Sequence, residues 1–291
     1  MNTFTIRDIE NLSGIKAHTW RAWEQRYGII RPMRKDSNHR LYGIEDLKHI
    51  LRIAYLYGQG YKISRIAEMD ENQIRKLSLE FKSKGNHEIF INQLMEASID
   101  FEEGIFRKAM DNAVISLGLE KAMILVIYPF LTKIGLLWMT GNIIPAQEHF
   151  ASNIIRNKIL AATERLPVKK NSSLKKYILF NPPSEYHEIP LLFVQYSLKL
   201  RGISNVLFGI NTSIDFVRDY QQEKKATHLF LFMATNFTNK EPLELIEELK
   251  INFPAVQINV AGYSFRNMEI TAGDRVKLFT SVQDFLNYLD R

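Results

Sequence analysis

Between Thr5 and about Ala67 the apolar positions recur at helical spacing in short runs separated by turns. Ile6, Ile9 and Leu12 share one helical face, Ser13-Gly14 breaks the run, and a second helical stretch ends at Tyr27-Gly28. The stretch from Arg31-Pro32 to Gly43 contains the turn formers Asp36-Ser37-Asn38, as a small hairpin would. A third helix is predicted from about Ile44 to Leu56, with Ile44, Leu47, Ile50, Leu51 and Ala54 on one side. Helix, turn, helix, basic hairpin and helix is the order of a winged helix-turn-helix.

From about Asn86 to Leu166 the pattern stays helical, interrupted only by Pro129 and Pro145, and Ile89, Leu94, Ile99, Phe106 and Ala109 suit a four-helix bundle. Pro167 to Ser173, rich in Lys, Asn and Ser, reads as a linker. Beyond Leu174 the period changes. Tyr177 to Phe180, Val206 to Phe208, His228 to Phe232 and Val256 to Val260 read as buried strands, each followed by a helical segment. Strand alternating with helix predicts a doubly wound parallel sheet of the flavodoxin-like kind, which takes ligands at the carboxyl ends of its strands. The expected domains are 1–75, 86–166 and 174–291, and the expected class is multidomain α and α/β.

Composition narrows the function. A chain of 291 residues, 46 % hydrophobic and 24 % charged, has room for two or three globular domains. It contains no cysteine, which excludes disulfides, thiolate metal sites and a mercury- or thiol-redox sensor. The apolar stretch Ala122 to Met139 is broken by Pro129, Lys133 and Gly135, and the amino terminus lacks a basic region followed by an apolar one, so a cytoplasmic protein with no membrane partner is expected. Residues 1–85 hold 16 Lys and Arg against 10 Asp and Glu, and the other residues balance at 22 against 22. All of the net +6 therefore sits in the first third, as in a nucleic-acid reader attached to a neutral body.

The amino-terminal motifs sharpen this. Thr5-Ile6-Arg7-Asp8-Ile9, Trp20-Arg21-Ala22-Trp23-Glu24-Gln25-Arg26-Tyr27-Gly28, Arg31-Pro32 and Asn38-His39-Arg40-Leu41-Tyr42 follow one another as in the MerR family, which the first quarter of the chain resembles. Arg21 and Arg26 lie on a short helix able to enter a major groove, where guanidinium groups reach phosphates and base edges. Trp23 and Tyr27 anchor that helix, with the Tyr27 hydroxyl available to a phosphate. Arg34, Lys35 and Arg40 on the hairpin are expected to hold backbone phosphates, and Tyr42 is included among the DNA contacts.

Two further motifs concern the remainder. Trp138 is followed after nine residues by Glu148-His149, and Glu185-Tyr186-His187 stands at the first strand-to-helix turn of the α/β segment. They resemble the tryptophan-glutamate-histidine signature of a helical cap and the acid-x-histidine motif of the cobalamin-binding fold. With the MerR-like head, the chain is similar to the cobalamin-dependent, light-sensing CarH or LitR branch of the family. That resemblance makes His187 the lower ligand of cobalt in adenosylcobalamin or methylcobalamin, with Glu185 its supporting acid, and puts Trp138, Glu148 and His149 at the upper face. It implies a homo-oligomer, dimer or tetramer, on a double-stranded DNA operator, and a regulator with no catalytic residue.

The sequence departs from the pattern at two points. The glycine expected three residues after the histidine is Pro190, and a pair of glycines after the fourth strand is replaced by Ala261-Gly262, of which Gly262 is the remaining cofactor-side candidate. Two alternatives stay open: a regulator that keeps the fold without the cofactor, and a corrinoid methyl carrier, which lacks such a head.

Overall fold

Capping chemistry sets the first helix. Thr5 accepts from the Asp8 backbone N–H while the Asp8 carboxylate accepts from the Thr5 N–H at 2.8 Å, and Gly14, at φ +72°, ends the helix in the left-handed conformation that favours glycine. The computed structural model describes residues 3–30, 32–34, 40–79, 87–139, 144–168, 174–234, 242–262 and 275–291, with the side chains of Arg34, Leu79, Trp138 and Met139 outside that description. It divides into two compact units, Met1–Ser152 and Asn153–Arg291.

The first unit begins with α1 (Ile6–Ser13), α2 (Ala17–Tyr27), β1 (Met33–Arg34), β2 (Arg40–Leu41), α3 (Ile44–Gly58), α4 (Ile63–Ala67) and α5 (Glu71–Leu79). β1 and β2 pair antiparallel with Met33 opposite Leu41, the hairpin expected of a wing. Ile9, Leu12, Trp20, Leu47, Ile50 and Leu51 are buried together as the core of this head. The Trp20 and Trp23 rings meet edge to face at 5.1 Å, and the Trp20 indole N–H donates to Ser13 Oγ at 2.9 Å, so the first tryptophan packs without leaving its polar atom unmet.

The helical region follows as α6 (Glu88–Ile99), α7 (Glu103–Leu117), α8 (Leu119–Ala122), a π-helical turn (Met123–Ile127), α9 (Tyr128–Met139) and α10 (Pro145–Glu164). Phe106, fully buried, packs its ring against Phe130 at 5.5 Å and Phe150 at 6.0 Å, which joins α7, α9 and the start of α10. Among the described residues, no helix is long and apolar enough to cross a membrane.

In the second unit β3 (Lys176–Phe180), β4 (Ser204–Gly209), β5 (His228–Phe232), β6 (Gln257–Ala261) and β7 (Val276–Phe279) form one sheet in the order β4-β3-β5-β6-β7, every pair parallel. The helices α11 (Ile189–Leu200), α12 (Ile214–Lys224), α13 (Pro242–Asn252) and α14 (Val282–Leu289) follow in alternation. Ile178, Leu229, Leu231, Ile258 and Val260 form one core with Val217, Ile246 and Leu249. On the opposite sheet face Phe230 and Tyr177 meet Phe285 of α14. Burial on both faces explains the unbroken apolar runs in β3 and β5.

Candidate functional site

On α2 the two tryptophans turn inward, 1 % and 8 % exposed, and the helix's other side carries Arg21, Gln25 and Arg26, all exposed. The Arg26 guanidinium stands 5.3 Å from the Tyr27 ring centroid, which steadies its stem while leaving its donors at the surface. This is the arrangement expected of a groove-reading helix. The wing is represented by the backbone of Arg34 and by Arg40, since Lys35 lies outside the described residues. Arg40 donates its Nε to Glu24 Oε2 at 2.8 Å, so one function of this arginine is to tie β2 to α2.

Tyr42 requires a correction. It is 2 % exposed, its backbone exchanges hydrogen bonds with Phe4, and burial, followed by the nearby Glu24 carboxylate, pushes its hydroxyl up to about 12. A ring so placed packs the head and does not reach a DNA surface.

The second cluster stands where β3 and β5 end. Asn181, fully buried just past β3, accepts from the Phe232 N–H at 2.9 Å and donates to the His187 carbonyl at 3.1 Å. Glu185, 1 % exposed, takes three bonds: the His187 backbone N–H at 3.0 Å, the His187 Nδ1 at 2.6 Å and, on its other oxygen, the Ala234 N–H at 2.9 Å. Burial is the largest influence on this carboxyl and would raise it. The His187 ring and backbone bonds, the His187 charge and the Ala234 bond together outweigh burial and hold it below the usual carboxylate range. An ionised carboxylate can only accept, so Nδ1 carries the proton and Nε2 is the ring nitrogen that Glu185 does not engage. The His187 side chain is 52 % exposed, a donor presented from a loop whose acid is locked.

One imidazole donor suits a metal whose in-plane positions are already filled by a macrocycle, and the buried acid behind it is the partner that raises ligand basicity. The residues present therefore fit a cobalamin at this point. Gly262 tells a different story. At φ +145° its missing Cβ would lie 1.9 Å from the Met233 carbonyl oxygen, so the chain's own packing demands glycine here. Pro190 occupies the first turn of α11, where a missing N–H costs nothing.

At the cap, Glu148 lies in the first turn of α10 and accepts from Ser152 Oγ, with its other oxygen 2.9 Å from His149 Nδ1. The His149 ring is 71 % exposed. Trp138 lies on α9 with its side chain outside the described residues. Asn181, Ala234 and the buried Gln147 beside Glu148 were not singled out by sequence reasoning. A backbone N–H and two amides carry no motif, and only the Asn directly after a strand gave a signal that could have been followed.

Residues 4–73 match the family described as MerR HTH family regulatory protein, and residues 90–162 match the B12 binding domain. The HTH-type transcriptional repressor CarH of Myxococcus xanthus is 25 % identical over 214 residues, covering 71 % of each chain. The HTH-type transcriptional repressor CarA of the same organism is 27 % identical over 213 residues, 72 % of this chain and 69 % of the relative. Among solved structures, the monomethylamine corrinoid protein of Methanosarcina barkeri shares the fold at a TM-score of 0.57 and 14 % identity, over 70 % of this chain and 98 % of that one. The chain thus joins a segment that matches the MerR HTH family, a segment that matches the B12 binding domain and a parallel α/β sheet, and it is similar to two transcriptional repressors over most of its length.

Proposed function

We propose that this chain is a cytoplasmic repressor whose grip on its operator follows cobalamin occupancy, with adenosylcobalamin the dark ligand and light the signal that ends repression. The observation that carries the reading is the His187–Glu185 pair, a half-exposed imidazole whose Nδ1 is fixed at 2.6 Å by a carboxylate that is itself fully buried and bonded to two backbone N–H groups. A surface histidine needs no such support, whereas an axial ligand does.

In this reading His187 would hold the cofactor's cobalt through Nε2, with Glu185 fixing the ring in that tautomer. The resemblance assigns Trp138, Glu148 and His149 to the same cofactor. Bound adenosylcobalamin supplies a cobalt–carbon bond that visible light breaks. Arg21 and Arg26 read the major groove, Arg34 and Lys35 hold phosphates, and a dimer or tetramer brings two heads to paired half-sites. The similarity to two repressors supports this direction of control.

The test is an absorption spectrum and elution profile of the purified chain mixed with adenosylcobalamin in the dark, then exposed to green light. Visible absorbance travelling with the protein, a larger assembly in the dark and a smaller one after light are expected. Methylcobalamin run in parallel identifies the upper ligand. Colourless protein with one elution position throughout would overturn the reading. A cofactor-free regulator is then favoured, a view that gains from Gly262 being explained by the Met233 carbonyl alone. The MerR head argues against the remaining alternative, a corrinoid carrier enzyme.

A further inference from the structure

The head and the helical region are bound to each other by buried polar groups in an ordered row. Lys48 and Arg52 of α3, one helical turn apart, are each 6 % exposed, although both are charged. Lys48 Nζ reaches Asp100 at 2.6 Å, and Arg52 grips Glu96 with two bonds of 3.0 and 2.7 Å. One turn earlier on α6, Asn92 donates to the Leu51 carbonyl at 3.3 Å. Residues 92, 96 and 100, spaced by four, thus present three successive turns of α6 and its cap to α3.

The same end of α6 is bound on another side to the start of α10. Ser98 Oγ donates to the Gln147 carbonyl at 3.0 Å, and the Gln147 side-chain amide donates to the Ile99 carbonyl at 2.8 Å. Ser98 is fully buried and Gln147 is 4 % exposed. Gln147 directly precedes Glu148-His149. A partly open cavity of about 350 Å³ lined by Leu12, Leu51, Tyr57, Asn92 and Lys133 lies beside the α3–α6 contact. Buried polar groups that are bonded in one arrangement lose their partners in any other, which makes such a joint switch between registers and not slide.

We propose that the last turn of α6 is the coupling element of the regulator: through Gln147 it senses the position of the Glu148-His149 segment, and through Glu96 and Asp100 it sets the docking of the DNA-binding head. Gln147, Glu96 and Asp100 act here as positioning residues. This inference rests on the reading that the helical region responds to cobalamin, although the joint itself does not.

The experiment follows hydrogen exchange at α3 amides in the full chain, with and without adenosylcobalamin in the dark. In the parent chain the cofactor slows α3 exchange. In Gln147→Leu and in Glu96→Gln with Asp100→Asn, the chain still takes up the coloured cofactor while the slowing at α3 falls by about fivefold or more. Arg52→Lys keeps the charge and loses the second bond to Glu96, so it gives a partial loss even where the double variant does not fold. Variants that bind cofactor and keep the full α3 response overturn the coupling. A parent chain that takes up no cobalamin sinks the functional reading instead. The joint is then judged in the cofactor-free chain, where Gln147→Leu must speed α3 exchange to uphold it and an unchanged rate overturns it.

Discussion

Arg21 and Arg26 stand exposed on α2 above a core of Trp20 and Trp23, whereas His187 stands on a loop tied down through Asn181, Glu185 and Ala234. The contrast fits what each region would meet in the proposed function. Phosphates are strung along a duplex at regular intervals, and long cationic arms on a rigid helix can find them by small adjustments. In the proposed reading His187 would hold a metal through one ring nitrogen and one tautomer, and the support around it is already in place in the folded protein. The first region puts its rigidity beneath the functional side chains and the second puts it behind them.

Gly262→Ala tests how far the rigidity of the second region extends, and the largest effect is expected there. A Cβ at 1.9 Å from the Met233 oxygen and 2.7 Å from its carbonyl carbon must push backbone apart where β5 and β6 end. A loss of about 3 kcal/mol or more in the α/β unit is expected from strain of this kind. Trp20, Trp23 and Trp138 all lie in the first unit, so tryptophan emission should report the parent midpoint in urea while far-ultraviolet dichroism moves to lower denaturant. Both probes holding at the parent midpoint would mean that the strand ends can give way.

Glu185→Gln comes next. It keeps the shape and can still accept one bond, but it loses the charge that faces the His187 ring and leaves a buried amide with fewer partners. Cobalamin affinity should fall by roughly 10- to 100-fold, the usual effect of removing a support behind a metal ligand. Equilibrium dialysis in the dark measures it. Unchanged affinity would place the acid outside the ligand's support and make the two regions alike.

Arg21→Ala should leave stability within about 0.5 kcal/mol, as exposed positions do, while operator binding weakens by about 1–3 kcal/mol. Gel shifts against the operator and against unrelated duplex separate the specific part from the general one. Loss of stability without loss of binding would reverse the assignment of core and arm.

The parts visible in the sequence are those where one period dominates. The short helices of the head, the helical region and four of the five sheet strands repeat their apolar residues at the spacing of their structure, with strand limits moved by a residue or two at β3, β4 and β6. β7 escaped because Val276–Phe279 is four residues long and carries Lys277 in its midst. The π-helical turn at Met123–Ile127 has no sequence mark, since its side chains are those of any buried helix. Tyr42 resembles a contact residue in type and position, yet the next residue after β2 faces inward, a matter of strand direction that no single residue reveals. The locks behind His187 use backbone N–H groups from a distant strand end, which only folding brings together.

The smallest effect belongs to the other end of the same sheet, and it sets a second histidine against His187. His228 opens β5, stacks on Tyr177 with ring centroids 4.6 Å apart, and lies 2.7 Å from the Thr227 hydroxyl through Nδ1. Burial first, then the charges of Lys175 and Lys277, push it down to about 4 from an ordinary 6.5. Between those values the unfolded chain binds a proton that the folded chain refuses. Stability is therefore full above the ordinary value and declines as pH falls through the window from 6.5 to about 4. Because the ring is only partly buried, solvent screening leaves about 1 kcal/mol of the effect. Glu185, held below its ordinary 4.5, acts in the same direction at lower pH, its contribution present above that value and lost as pH falls through its lowered one. Proton resonances of the imidazoles should give a midpoint near 4 for His228. His228→Phe should make urea stability less dependent on pH between 7 and 5 by about the same 1 kcal/mol. An ordinary midpoint would mean that this end of the sheet is as open to water as the arms of α2, and that burial distinguishes only the end where His187 stands.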